Sequence, residues 1–283
     1  MNRLPLAKRV AVISALVEGC SVRSTVRLTG VAKGTVLSLL ARVGEACATF
    51  QDEAIRNVAA KRVQIDEIWS FVGAKQKNVT VENAARGAVG DVWTFVAIDA
   101  QSKLVLSWLV GLRDAGCATD FMQDVAGRLR NRIQLTTDGH KMYLSAVEDA
   151  FGGDIDYSML VKIYGSSAER DTRYSPGVCK GCLQLPVVGD PDPKHVSTSY
   201  IERQNLNVRM NIRRFTRLTN AFSKKVENHA HSLALFHMHH NFVRVHQSLR
   251  VTPAMEAGLT TRVWSIQDIV ELAAEPALAE NAA

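Results

Sequence analysis

The apolar pattern of this chain changes period at Lys61. Before it, Val10, Ile13, Leu16 and Val17, and then Val36, Leu39, Leu40 and Val43, recur at helical spacing. After it come runs rich in β-branched and aromatic residues at 62–73 (RVQIDEIWSFVG), 92–99 and 104–111. Helical spacing returns at 119–130 and 140–151, each followed by a strand pattern, at 133–137 and 157–164. The order β-β-β-α-β-α-β, with strands apolar on both faces, predicts a mixed α/β sheet covered by helices on either side.

The region before Lys61 predicts three helices. The first covers residues 6–18 and stops at Gly19; Ser21 caps a second over 22–29, and Gly30 supplies a tight turn. A third starts near Ala32, with Lys33, Thr35, Ser38 and Arg42 facing outward. Two short helices around a glycine turn, the last opening with polar and basic residues, fit a DNA-reading helix-turn-helix, although any small three-helix domain shares much of the pattern. The expected layout is therefore an all-α helix-turn-helix DNA-binding domain at 1–50, a polar helical connector at 51–62 and an α/β domain at 63–250. Residues 165–199 hold four of the seven prolines and no period, which predicts a long inserted loop. Thr198 or Ser199 then caps a basic helix toward Arg217, a second helix spans 223–246, and residues 251–283 form a tail fraying beyond Glu271.

Charge is segregated along this layout. The net charge is +6, but residues 1–50 carry seven basic and two acidic side chains and residues 200–250 nine basic and two acidic, so the remainder is acidic. Basic segments around an acidic middle suit a polyanion partner, with carboxylates gathered for a separate task. Five scattered cysteines make no disulfide framework. Arg3, Lys8 and Arg9 before the apolar run 10–17 imitate a secretory leader, but Glu18 stands where a small uncharged residue is required. No run approaches the roughly 20 apolar residues of a membrane span, and a cytoplasmic protein is expected.

The carboxylates carry the chemistry. In-line attack on a phosphodiester needs charge neutralisation and an activated oxygen, which two Mg²⁺ ions held by carboxylates provide, with Mn²⁺ as a substitute. Asp66 lies mid-strand, where a charge is costly without a compensating cation. Asp138 follows the strand 133–137 at the edge where α/β sites gather, and Glu202 opens the basic helix. Glu67 is the neighbouring alternative to Asp66, but strand alternation points it to the opposite face. Any one of these acids reads as a surface group or a helix cap; the three together, on these elements, read as metal ligands.

Four runs then carry a resemblance: Asp66-Glu-Ile-Trp-Ser-Phe-Val-Gly-Ala-Lys75, Thr137-Asp-Gly-His-Lys-Met-Tyr143, Tyr200-Ile-Glu-Arg-Gln-Asn-Leu-Asn-Val-Arg209 and Ala221-Phe-Ser-Lys-Lys-Val-Glu-Asn-His229. With Asn241-Phe-Val-Arg-Val-His246 they span most of 63–250, and the chain resembles the Asp-Asp-Glu (DDE) transposases of the IS-one insertion-sequence type. The resemblance implies a ribonuclease-H-like fold and Asp66, Asp138 and Glu202 as the catalytic, metal-binding triad. It also implies metal-dependent strand cleavage and transfer on double-stranded DNA, at the element's terminal inverted repeats and at target DNA, by a homo-oligomer. Arg209, seven residues after Glu202 on the same helical face, fits the basic residue such enzymes place near the DNA end. Arg203, Arg213, Arg214 and Arg217 are further candidate phosphate contacts.

The chain departs from that family in lacking a cysteine-based zinc finger at its start and in the long 138–202 spacing. Cys179 and Cys182 supply only two zinc ligands, with His195 as a third. The six histidines between 229 and 246 contain no i, i+4 pair, so they suit DNA contact or packing on the sheet; Trp69 and Trp93 suit the core. Two rivals use no carboxylate triad: a helix-turn-helix transcriptional regulator with a non-catalytic second domain, and a recombinase with a covalent nucleophile.

Overall fold

A computed structural model describes residues 4–85, 90–165, 179–217 and 219–273. Helices α1 (Leu6–Val17), α2 (Val22–Thr29) and α3 (Lys33–Ala54) open the chain. They are followed by β1 (Arg62–Val72), α4 (Val81–Ala85), β2 (Gly90–Asp99), β3 (Val105–Gly111), α5 (Ala115–Arg128), β4 (Gln134–Asp138), α6 (Met142–Phe151) and β5 (Asp156–Tyr164). Strand β6 (Cys179–Val188), α7 (Ser199–Asn211), α8 (Val226–Met238), α9 (Pro253–Glu256) and α10 (Ile266–Leu272) complete it. The chain divides into two units, residues 57–68 with 94–203, and residues 1–56 with 69–93 and 204–283.

A mixed six-stranded sheet runs in the order β3-β2-β1-β4-β5-β6. Strands β1, β4 and β5 are parallel, with Gln64 opposite Thr136 and Asp138 opposite Leu160, and β6 is antiparallel to β5. In the first unit the pleat sends successive β2 side chains to opposite faces. Phe95 packs on Phe121 of α5 at 5.6 Å, whereas Val96 and Ile98 cluster with Val105 of β3 and Ile201 of α7. Helices thus cover both faces, and the architecture is compatible with a ribonuclease-H-like fold.

The proline-rich stretch expected as a loop contains β6. Pro186 pairs opposite Ser158 within it. A proline is tolerated there because β6 is the sheet edge, where a missing N–H forfeits no ladder bond to a further strand. Almost every β6 residue is exposed, so no alternating apolar pattern marks it. Residues 166–178, with Pro176, lie outside the described residues.

The second unit is mainly helical. Of the residues picked out by periodicity, Ile13, Val17, Val36, Leu39, Leu40 and Val43 are buried in it, whereas Val10 and Leu16 are half-buried. Helix α3 packs along α8, and at Gly44 an added Cβ would meet the His231 Cβ and carbonyl oxygen at 2.5 Å. Buried Gln51 donates to the Cys47 and Ala234 carbonyls, both at 3.0 Å, which fixes α3 to α8 through one amide. Helix α7 stops at Asn211, short of Arg217, and α8 passes into a π-helical turn over His239–Val243. The expected tail is partly core: α10 packs against α1 and α3 and buries Ile269 and Val270. Residues beyond 273 lie outside the described residues. Among the described residues, no helix is long and apolar enough to cross a membrane.

Candidate metal centre

The part of β1 in the first unit, which runs to Ile68, carries the pair Asp66-Glu67. The residue two before Asp66, Gln64, is buried, and its Oε1 accepts the backbone N–H groups of Tyr200 at 2.9 Å and Ile201 at 3.1 Å. Those N–H groups open α7 and have no acceptor within the helix. The amide therefore fixes the first turn of α7, and with it Glu202, against the strand that carries Asp66. Thr198 donates to Glu202 Oε1 at 2.5 Å and holds its rotamer.

Asp138 closes β4, and Gly139 lets the chain turn away: an added Cβ there would meet Val161 Cγ2 at 2.8 Å. The turn returns the His140 N–H to Asp138 Oδ1 at 3.0 Å. Asp66, Asp138 and Glu202 line one cleft of roughly 350 Å³ with Lys162 and Thr198. The side chains of Asp138 and Glu202 are 35% and 43% exposed, open enough to meet an incoming ligand. Lys162, on β5, ion-pairs with Glu202 inside this cleft. Burial works against the ammonium, but the Glu202 hydrogen bond and charge outweigh it and hold its pKa above the ordinary value.

Glu67 comes closer than alternation suggests. Its side chain is only 1% exposed and accepts from the Tyr143 hydroxyl of α6, on the opposite face of the sheet from α7. Yet one carboxylate oxygen from each of Asp66, Glu67 and Asp138 lies within 4.8 Å of the others. The pleat sets where a Cβ points, whereas the longer glutamate can still bring its oxygens near the strand edge. Burial and the Asp138 charge push the Glu67 pKa up, while Tyr143 and Arg113 pull it back in part. Burial first, then Glu67, raises the Tyr143 phenol well above its usual value, so at neutral pH it is a protonated donor.

An all-oxygen donor set facing a cleft suits a hard divalent cation such as Mg²⁺ or Mn²⁺. The basic groups that close on these acids, Lys162 at Glu202 and Arg113 at Asp138 and Glu67, stand where positive charge is needed. Among the described residues, Cys179, Cys182 and His195 do not gather into a metal-holding group. Both cysteines are exposed, Cys179 Sγ donates to the Gly181 carbonyl at 3.3 Å, and His195 Nδ1 lies 2.6 Å from Arg62.

The other candidates, Arg203 excepted, fall in the second unit, within residues 1–56 or from Gln204 onward. Lys33, Thr35, Ser38 and Arg42 are all exposed on α3. Lys33, Arg213 and Arg214 line an open groove of roughly 680 Å³ together with Arg23 and Lys224. Arg203, in the first unit, and Arg217 are exposed. Arg214 differs from the expectation of a phosphate contact: it donates to Ser223 Oγ at 3.1 Å and to the Asn228 carbonyl, and burial lowers its pKa to about 10. Arg209 is also turned to backbone, donating to the Phe215 and Trp69 carbonyls at 3.1 and 3.3 Å. His229 is buried between Ser70 and Ser223 and stacks on Phe215, so packing claims it. Trp69 and Trp93 are only partly buried.

Gln64, Arg113 and Lys162 had no sequence signal of their own, save that Gln64 shares a strand face with Asp66, and Tyr143 closes one of the runs that carry the resemblance. No protein-family model matches the chain, and no curated protein matches it. Among solved structures, the cryo-EM structure of a piggyBac transposase synaptic complex with hairpin DNA is similar at a TM-score of 0.41 and 10% identity, covering 95% of this chain and 69% of that one.

Proposed function

We propose that the chain is a DNA transposase of the DDE insertion-sequence type, cutting and joining DNA at the ends of its element. The observation that carries this reading is the convergence of Asp66, Asp138 and Glu202 on one cleft from β1, β4 and α7. Asp66 and Asp138 would hold Mg²⁺, with Glu202 completing the set once Lys162 yields. Bound there, the metal would offset phosphodiester charge and lower the pKa of the attacking water or 3′-hydroxyl.

The chain's own residues do the rest. Gln64 and Thr198 hold Glu202 in place, and the His140 N–H orients Asp138, so the ligands are set before DNA arrives. Lys162 releases Glu202 and is then free to meet a phosphate oxygen at the same cleft. The exposed side chains of α3, Lys33, Thr35, Ser38 and Arg42, would read the terminal inverted repeats. Arg203, Arg213 and Arg217 would contact the phosphate backbone, and Arg209 would stand near the DNA end. A homo-oligomer would bring two element ends to one target.

Incubation with supercoiled plasmid carrying the element ends, with and without Mg²⁺, tests the proposal. Metal-dependent nicks at the ends with free 3′-hydroxyls support it. Selective binding without cleavage would instead favour a transcriptional regulator, and a covalent protein–DNA adduct formed without metal would favour a recombinase.

A further inference from the structure

The triad leaves Glu67 without a role. A carboxylate with a 1% exposed side chain, among other acids, would be destabilising unless something compensates it. Two groups do: the Tyr143 hydroxyl on Oε1, and Arg113 Nη2 on Oε2 at 3.1 Å. The same Arg113 nitrogen lies 3.7 Å from Asp138 Oδ2, within ion-pair range but beyond a hydrogen bond. Asp138 Oδ1 is already taken by the His140 N–H. One guanidinium thus stands between two carboxylates, and it is bonded to the buried one.

We propose that Glu67 and Arg113 are a positioning pair, in which Glu67 draws the guanidinium off Asp138 so that Oδ2 stays open to a divalent cation. The proposal rests on the metal-centre reading above. A guanidinium in full contact with Asp138 would compete for the oxygen the metal needs, since arginine and carboxylate match in shape as well as charge. Without any guanidinium, three carboxylates whose oxygens lie within 4.8 Å would repel one another in the metal-free protein. Arg113 relieves that repulsion, and Glu67 limits how far it may reach. Tyr143, locked in the core of α6, fixes Glu67 in turn.

The test is a Mn²⁺ titration of the full-length protein without DNA, read by calorimetry and by the rise in melting temperature, with Asp138→Asn as control. Wild type should bind and Asp138→Asn should lose most of the response. Glu67→Gln keeps the shape but releases Arg113 toward Asp138, so half-saturation should move to metal concentrations about 10-fold higher or more, as other outer-shell losses do. Glu67→Gln/Arg113→Gln removes the competitor as well, and half-saturation should return to within about 3-fold of wild type. Arg113→Gln alone should melt lower without metal and yet bind Mn²⁺ more tightly, which keeps the test decisive should Glu67→Gln fail to fold.

A double variant as weak as Glu67→Gln would make Glu67 a metal ligand and overturn the proposal. Unchanged half-saturation in Glu67→Gln and Arg113→Gln, with only lower melting temperatures, would reduce the pair to structure and overturn it too. If wild type shows no response that Asp138→Asn removes, the metal centre itself falls and the pair falls with it.

Discussion

Gln64 Oε1 accepts the backbone N–H of Ile201 at 3.1 Å, one residue before Glu202 and two residues from Asp66 on its own strand. A single buried amide therefore ties the start of α7 to the strand that carries Asp66. Replacement by leucine keeps the volume near that of glutamine and removes the acceptor. The Tyr200 and Ile201 N–H groups then lose a partner each, at a stability cost of about 1–3 kcal/mol. Gln64→Leu should speed amide exchange at the start of α7 and lower strand cleavage about 10-fold or more, with DNA affinity unchanged. Wild-type exchange and cleavage in this variant would show that α7 is placed by other contacts.

Gly139 makes a second local demand. With Val161 Cγ2 only 2.8 Å from the Cβ it would gain, Gly139→Ala must push β5 away or twist the turn that carries the His140 N–H to Asp138. Overpacking of this kind costs about 1–3 kcal/mol. The variant should melt lower and require more Mn²⁺ for half-saturation. A melting temperature and metal response both equal to wild type would contradict the close approach.

The proposed DNA face needs point substitutions, because α3 also carries core. Leu39, Leu40, Val43 and Cys47 are buried, so deletion of residues 1–50 would unpack α8 as well as remove the candidate reading surface. Lys33 and Arg42 are exposed, and Lys33→Ala/Arg42→Ala should leave the melting temperature within about 2 °C of wild type. Binding to the terminal repeats should weaken, and the slope of log affinity against log salt should fall by about 2 if each side chain meets one phosphate. Undiminished selectivity for the ends would move recognition away from α3.

How much of this was legible depends on what each signal measures. Periodicity found the helices and strands whose one face is buried, such as the α3 stripe of Val36, Leu39, Leu40 and Val43. It missed β6, whose side chains are exposed and which contains Pro186, because an edge strand needs neither alternation nor every N–H. It also ran α7 on past Asn211, since basic residues continue through the turn at Arg213–Phe215. Spacing and resemblance singled out Asp66, Asp138 and Glu202, which line one cleft. Gln64, Glu67 and Thr198 lie close to these acids in sequence, but the bonds they make, to the start of α7, to Arg113 and to the Glu202 carboxylate, are displayed only by the folded chain. Arg214 shows the converse: a basic residue in a basic run whose guanidinium the fold turns inward.

Acid should weaken the helical unit through its histidines. Burial, with a smaller contribution from Arg214, lowers His229 to about 3, and burial lowers His237 likewise, against about 6.5 in the unfolded chain. Both stay neutral in the folded protein while the unfolded chain takes up protons, so their stabilisation is complete above about pH 6.5 and lost as pH falls toward 3. Each contributes a slope of roughly 1.4 kcal/mol per pH unit in that window. Melting temperatures should drop from pH 7 to pH 5, and more shallowly in His229→Asn. Equal slopes in the two proteins would mean that His229 does not resist protonation.

The most direct measurement is strand cleavage and strand transfer by Asp138→Asn on plasmid DNA carrying the element ends, in Mg²⁺, beside binding to the same ends. Asparagine keeps the shape and removes one charge and one strong ligand. The account predicts cleavage and transfer lower by at least about 100-fold, with end binding within a few-fold of wild type. Wild-type strand transfer by Asp138→Asn would remove Asp138 from the site and contradict the metal-dependent chemistry.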